Sequence, residues 1–211
     1  LQAPAVKSEG KSFPVAQHFV GDFDLSILPE MVSKTVIEAT LKHTGDILVF
    51  LPGQGEIKKT EAILKRQLPD FSIHPLYGLL SPQAQHQAIF PNKYGKRKVV
   101  LATSIAETSL TIEGIETVVD SGYGRTSKFN PRTGLSKLET IRISKDSADQ
   151  RSGRAGRLGP GVCYRMWSRH THAQMADFRT PEILEADLAF LVLDLWGWSG
   201  RWRKNCSFGN D

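Results

Sequence analysis

The chain has 211 residues, 40% of them hydrophobic and 23% charged, a composition that suits one soluble globular domain or one domain with the start of a second. Cys163 and Cys206 lack ligand spacing, which argues against a zinc site or disulfide partner and for a reducing, cytoplasmic setting; no apolar run approaches a membrane span, and no signal-peptide core opens the chain. The formal charge of +5 is compatible with a polyanionic partner, and the basic residues gather at Lys93, Lys96, Arg97 and Lys98, at Arg125, Lys128 and Arg132, and at Arg151, Arg154 and Arg157, beside apolar runs and hence at strand ends and loops.

Residues 1–12 are small, polar and proline-bearing and read as a linker. Val15 to Val20 reads as a strand and Pro29 to Leu41 as a helix. Asp46 to Leu51 is the continuous apolar run of a strand buried on both faces. Ile57 to Leu68 is helical, Phe71 to Tyr77 a strand, and Ser81-Pro82 opens a helix that runs to Phe90. Lys98 to Thr103 and Thr117 to Asp120 are further buried strands. The turn signal Pro131-Arg132-Thr133-Gly134, followed by alternation over Ser136 to Ile143, predicts an antiparallel hairpin. Ser144 or Ser147 then caps a helix that Gly159-Pro160-Gly161 stops, and Val162 to Trp167 is the last strand. Strands alternating with helices predict an α/β domain over 13–172, a mostly parallel sheet flanked by helices. In such sheets ligands gather at the carboxyl ends of the strands, where Pro52 to Gly55, Ser104 to Gly114 and Ser121 to Arg132 are all expected. From 173 to 211 the composition changes, and a helix starting at Thr180-Pro181-Glu182 carries an apolar stripe of Ile183, Leu184, Leu188, Leu191, Val192 and Leu195, too wide to serve the first domain alone.

The segment Gln150-Arg151-Ser152-Gly153-Arg154-Ala155-Gly156-Arg157 is the most unusual in the chain. On a continuous helix Gln150, Arg154 and Arg157 fall on one face. Each glycine costs a helix about 1 kcal/mol against alanine, and close backbone approach to a charged ligand is the natural compensation. Guanidinium groups among small residues suit phosphate oxygens, whereas a solvated basic helix has little use for glycine. Gln150 has a second reading as partner of Ser147 in a capping box. Ala5 to Ser12 ends in Gly-Lys-Ser like a phosphate-binding loop, yet it follows no strand and precedes Phe13-Pro14-Val15, which favour extended chain.

Three segments together carry a resemblance. Thr103 to Ile112 (Thr-Ser-Ile-Ala-Glu-Thr-Ser-Leu-Thr-Ile) resembles the fifth motif of DEAH-box ATP-dependent RNA helicases, Gln150 to Arg157 the sixth, and Leu48 to Ile57, with Gly53, the fourth. Leu76-Tyr77-Gly78, Ile112 to Ile115, Arg132 to Leu135 and Gly161 to Arg165 are similar to their bacterial HrpB branch. The resemblance runs from about Phe13 to Trp198. It implies the second of two RecA-like domains, a P-loop-NTPase-type fold with a hairpin insertion, followed by the first helix of a winged-helix domain. ATP would lie between the two domains and single-stranded or structured RNA would cross both. The phosphate loop and the Asp-Glu-Ala-His site, which hold ATP and Mg2+, belong to the first domain, so the chain alone is expected to be inactive.

The family's roles map onto these positions. Arg154 and Arg157 would be arginine fingers at the γ-phosphate, with Gln150 on the phosphate or the attacking water. Arg151 points about 100° away and would brace the motif or the domain interface. Phe90 matches the aromatic that stacks on adenine; as a lone Phe it equally reads as core. Ser109 and Thr111 would sense the nucleotide and Glu113 would bind the ribose hydroxyls, while Thr103, Ser104 and Gly53 would contact RNA. Lys128 and Arg132 would meet phosphate on the hairpin with Phe129 able to stack on a base; the other reading is a solvated hairpin with one buried Phe. Ser104 stands where the family usually has Asn, Glu113 where Asp is commoner, and Ser152 where Ala is usual. A stand-alone nucleic-acid-binding or regulatory module without catalysis, or a domain of a related DNA helicase, remain the alternatives.

Overall fold

The computed structural model describes residues 13–92, 95–108, 111–130, 132–181, 188 and 191–198. In chain order the first half is β1 (Val15–Phe19), α1 (Leu28–Lys42), β2 (Asp46–Phe50), α2 (Gln54–Gln67), β3 (Ser72–Leu76), α3 (Pro82–Ile89) and β4 (Lys98–Ala102). The second half is α4 (Ile105–Thr108), β5 (Ile115–Asp120), β6 (Tyr123–Asn130), β7 (Leu135–Arg142), α5 (Lys145–Ser152), β8 (Gly161–Arg165) and α6 (Arg169–Gln174). Six strands pair in the order β1-β8-β5-β2-β4-β3, every pairing parallel, and β6 and β7 form the separate two-stranded hairpin that the turn signal predicts.

Alternation along the central strands sorts the core into two layers. Ile47, Val49, Leu51, Val99, Leu101 and Val119 face one cluster, where α1 and α2 bring Leu28, Val32, Val36, Ile57 and Leu64. Leu48, Phe50, Val100, Ala102 and Val118 face the other, closed by Ala88 of α3, Ala106 of α4, Ile112 and Ala155. A strand with apolar residues on both faces can only be central, which is why Asp46 to Leu51 reads as a continuous apolar run. Each such side chain contributes about 1.5–3 kcal/mol by leaving water. The segments that resemble the fifth and sixth helicase motifs therefore pack on the second layer, through Ala106, Ile112 and Ala155.

Several boundaries move, each for a local reason. Gly53 is the N-cap of α2, so that helix starts at Gln54, ahead of its first buried residue Ile57. Ser144, not Ser147, occupies the N-cap of α5, and Ser147 is buried inside the helix with its hydroxyl on Glu107, which removes the capping-box reading of Gln150. The four-residue α4 and the six-residue α6 are too short to leave a period in the sequence. The basic cluster before β4 is structural in part. Arg97 donates to the carbonyls of Thr40 (3.1 Å), His43 (2.7 Å) and Gly45 (2.9 Å), closing the end of α1, and Lys98 is buried.

The chain divides into two units, one holding residues up to Arg125 together with Thr140–Arg179, the other Thr126–Glu139 together with the chain from Thr180. In the second unit β7 exposes Leu135 and Leu138, and residues 191–198 are helical with Leu191, Leu195 and Trp198 exposed. Of the predicted start of that helix, Thr180 and Pro181 are exposed and not yet helical, while Glu182, Ile183, Leu184 and Cys206 lie outside the described residues.

The glycines of the arginine segment have a packing reason. A Cβ on Gly156 would lie 2.6 Å from the Phe13 carbonyl oxygen and 2.8 Å from Val15 Cγ2, so the close approach is to the chain entering β1 rather than to a ligand. Gly156→Ala is expected to destabilise the fold by about 1–3 kcal/mol, the cost of overpacking against backbone. Urea unfolding followed by circular dichroism checks this, and an unchanged midpoint would contradict the packing account.

Candidate functional site

A parallel sheet has two unlike edges, and the candidate residues divide between them. Gly53 follows β2, Thr103 and Ser104 follow β4, and Ser121 to Arg125 follow β5, so these lie at the carboxyl edge. Phe90 precedes β4, Thr111 and Glu113 precede β5, and Arg154 and Arg157 precede β8, so these lie at the amino edge. This corrects the expectation that Ser104 to Gly114 sits at the carboxyl end. Because β4 and β5 both run parallel to β2, the chain joining them must travel back along the sheet. Thr103 and Glu113 therefore mark opposite ends of one crossing.

The continuous helical face drawn for Gln150, Arg154 and Arg157 is also corrected. α5 ends at Ser152, and the chain continues in tight turns with Arg154 N donating to the Arg151 carbonyl (3.1 Å) and Ala155 N to that of Ser152 (3.0 Å). Gly153 closes the helix, and Gly159-Pro160-Gly161 comes too late to stop it. The arginines consequently have unlike surroundings. Arg151 and Arg154 are buried, whereas Arg157 and Gln150 are exposed.

Arg151 sits within a buried charge network. Its Nε and Nη2 each donate to Glu107 Oε1 (2.6 Å), and its Nη1 donates to Asp120 Oδ1 (2.8 Å) and to the Tyr123 carbonyl (3.1 Å). Phe50 supports the guanidinium at 4.9 Å from its ring centroid. Burial presses against the charge, but Asp120 and Glu107 together outweigh it and hold the guanidinium above the usual arginine range. Glu107 also accepts from Ser147 Oγ (3.2 Å), and its main-chain carbonyl accepts from Arg154 Nη2. One residue of α4 thus joins α5, the arginine turn and, through Arg151, the end of β5.

Arg154 is pressed down to about 10 by burial and then by the charge of Arg157, against the pull of Glu107, and still carries its charge at neutral pH. Arg157 Nη1 donates to Thr111 Oγ1 (2.7 Å), bringing the fifth- and sixth-motif segments together at the amino edge. Thr111 and Glu113 are exposed, held by buried Ile112 between them and by Gly114, whose φ of +82° turns the chain into β5. Phe90 is not core: it is 46% exposed, rests on His86 at a centroid distance of 4.2 Å, and borders a cavity of about 680 Å3 lined with His74, Gln83, Gln87 and Asn92. Ser109 lies outside the described residues.

At the carboxyl edge Thr103 is half-buried and Ser104 exposed, both at the start of α4. Gly53 is buried, and the residue presented over it is Arg125: a Cβ on Gly53 would lie 2.6 Å from Arg125 Cζ. Arg125 also pairs with Glu56 at 3.6 Å. In the second unit, described by itself, Lys128 and Arg132 are exposed and Phe129 half-buried. Cys163 is buried, its thiol pushed up to about 12 mainly by desolvation. Among the described residues no helix is long and apolar enough to cross a membrane, and no group of three His, Cys, Asp or Glu residues is placed to hold a metal ion. Sequence reasoning missed Glu107, Asp120 and Arg125; a carboxylate inside the fifth-motif segment was the available signal for Glu107.

A parallel RecA-like sheet carrying these motif segments defines a helicase C-terminal domain, and comparison with known proteins agrees. The chain belongs to the helicase conserved C-terminal domain family, whose model matches residues 27–159. It is 44% identical over 198 residues to the ATP-dependent RNA helicase HrpB of Escherichia coli, covering 93% of this chain and 24% of that protein. It is also 44% identical over 154 residues to the ATP-dependent RNA helicase HrpA of Borreliella burgdorferi, covering 72% of this chain and 19% of that protein. Crystal structures of E. coli HrpB, described as a DExH-box NTPase and as a DEAH/RHA helicase, superpose with TM-scores of 0.86 and 0.88 at 44% identity, over 94% and 93% of this chain and 25% of each of theirs. The chain therefore spans about a quarter of the length of these HrpB proteins.

The Arg151 network has a sharp energetic signature. Glu107→Ala removes one of two carboxylates from a buried guanidinium and is expected to cost about 3–5 kcal/mol. Ser147→Ala deletes a single hydrogen bond and should cost about 1 kcal/mol. Chemical denaturation of the two variants checks the contrast, which equal losses would contradict.

Proposed function

We propose that this chain is the second RecA-like domain of an ATP-dependent RNA helicase, with Arg154 and Arg157 completing the γ-phosphate site of ATP from across an interdomain cleft. The observation that carries the reading is the pairing of two motif segments at the amino edge, where Arg157 reaches Thr111 and Arg154 is tied to Glu107. In phosphoryl transfer negative charge spreads over the equatorial oxygens, and a positioned guanidinium contributes about 10³–10⁵ in rate. Gln150, exposed in the last turn of α5, orients the phosphate or the attacking water. Phe90 takes the nucleotide base, Glu113 the ribose hydroxyls, and Ser109 and Thr111 the nucleotide side of the fifth motif.

The RNA side of the proposal is the carboxyl edge. Thr103 and Ser104 offer hydroxyls to a phosphate, and Arg125 supplies the charge over Gly53. In the hairpin, taken by itself, Lys128 and Arg132 contact RNA phosphates. ATP and Mg2+ are held chiefly by the first RecA-like domain, and the described residues here offer no ligand set for the metal, so no step is assigned to it. The domain proper spans 13–172, with 173–211 beginning a winged-helix domain, and the isolated chain neither hydrolyses ATP nor unwinds RNA.

Arg157→Ala in the full-length protein is expected to lower kcat for RNA-stimulated ATP hydrolysis about a thousandfold while the Kd for ATP stays within about threefold. Steady-state kinetics beside equilibrium nucleotide binding reads both, and unchanged turnover would sink the assignment. On the RNA side, replacing Lys128 and Arg132 together by Gln should flatten the slope of log affinity against log salt by about 1.4 for single-stranded RNA, or about 0.7 per lost phosphate contact. A parallel shift with unchanged slope would place these residues away from the backbone.

A further inference from the structure

Phe90 is an unusual place to end a helix. α3 closes without a glycine, its cap residue adopts extended geometry (φ −85°, ψ 156°), and Pro91 follows. Proline restricts the residue before it to extended conformations, and it has no N–H to return to the helix. The last carbonyls of α3 therefore need a donor from elsewhere. Phe90 N satisfies the carbonyl of His86 at 3.0 Å. Lys98, the first residue of β4, supplies the donor for the three carbonyls that follow Gln87. Its Nζ donates to the carbonyls of Ala88 (3.3 Å), Ile89 (3.1 Å) and Phe90 (3.1 Å), with the residue only 1% exposed.

A lysine in a core is costly, and burial pushes this ammonium below the usual lysine range despite the through-space pull of Asp46 and Glu113. What offsets that cost is the negative end of a helix, three carbonyls converging on one cation. The lysine is itself fixed, because its main-chain N–H donates to Asp46 Oδ1 at 2.8 Å. The chain from β2 through Asp46 and Lys98 to the Phe90 carbonyl is therefore a continuous polar strut. On the ring side, His86 backs Phe90 at a centroid distance of 4.2 Å, leaving the aromatic 46% exposed toward the cavity. A ring pinned at its carbonyl, restricted at its backbone and backed by an imidazole has lost most of its freedom before any ligand arrives, which is what makes a flat stacking surface effective.

We infer that Lys98 is a positioning residue, holding Phe90 through the carbonyl end of α3 so that the ring stands ready as a wall for the nucleotide base. This rests on the proposed placement of the base against Phe90, and it assigns a binding task to a buried cation that touches no nucleotide.

The test uses the full-length protein with ATP and with ribose 5-triphosphate, which lacks a base. Phe90→Ala is expected to raise KM for ATP about tenfold, the scale of one aromatic–base stack, with kcat within about twofold and the ribose triphosphate KM unmoved. Lys98→Met keeps the aliphatic stem and should reproduce that pattern in the same direction. The double variant should be no worse than Phe90→Ala alone, since one wall is lost only once. Lys98→Arg, which keeps the donors, should return KM for ATP to within about twofold of the parent.

If Phe90→Ala leaves KM for ATP unchanged, the base placement fails and the inference with it. If Phe90→Ala acts and Lys98→Met does not, the inference alone is overturned. Equal impairment of both nucleotides by Lys98→Met, or additivity in the double variant, assigns Lys98 to general support of the fold and also overturns it. Should the methionine variant fail to fold, Lys98→Gln serves the same comparison, and failure of both to fold overturns the inference.

Discussion

The structure turns on the buried guanidinium of Arg151. Arg151 is taken out of water between Glu107 and Asp120, and without those carboxylates its desolvation would cost several kcal/mol. The three residues come from α5, α4 and the end of β5, elements that share no local sequence. Because the charge can be satisfied only when all three are in place, the network specifies one arrangement of the crossing segment and the arginine turn. Apolar packing by Ala106, Ile112 and Ala155 fills the same layer but tolerates small slides that ionic geometry does not.

That constraint bears on the candidate site through Glu107. Its carboxylate holds Arg151 and its carbonyl receives Arg154, so the structural arginine and a proposed phosphate-contacting arginine share one residue. The same residue lies three positions after Ser104, within the crossing segment that ends at Thr111 beside Arg157. A parallel sheet obliges this crossing, since every connection must return to the starting edge before the next strand begins. The two faces proposed for RNA and for nucleotide are in this sense a product of topology. Any change in how α4 sits is felt at both ends of it.

Much of this was legible in the residues. The unbroken apolar runs at Asp46 to Leu51 and Lys98 to Thr103 announced central strands, and Ser81-Pro82 announced a capped helix, because these features depend on local chemistry alone. What was not legible depends on partners far along the chain. A basic cluster beside an apolar run reads as strand-end and loop charge compatible with a polyanion, yet Arg97 and Lys98 each reach helix ends, separated by up to 57 residues in sequence. Arginines spaced as on a helix read as one face, yet a tertiary contact at Gly156 requires turns there instead. Glu107 carried no role in the sequence reading, because a carboxylate inside the fifth-motif segment does not reveal which arginine, forty-four positions on, it will meet.

The electrostatics of the amino edge explain why such a face suits an anion. Arg154 is held in a partly desolvated position, and the charge of Arg157 adds to the pressure that lowers its pKa. Two guanidiniums kept near one another raise the energy of the ligand-free state, and Glu107 offsets only part of that. An incoming anion relieves the like-charge repulsion and gains from the low dielectric around Arg154. A phosphate chain lying across both would gain more than the sum of two exposed contacts, since the cost of gathering the charges is already met by packing. The fold carries that local cost because Arg151 beneath is paired with two carboxylates, so the site that is electrostatically unfavourable stands on one that is not.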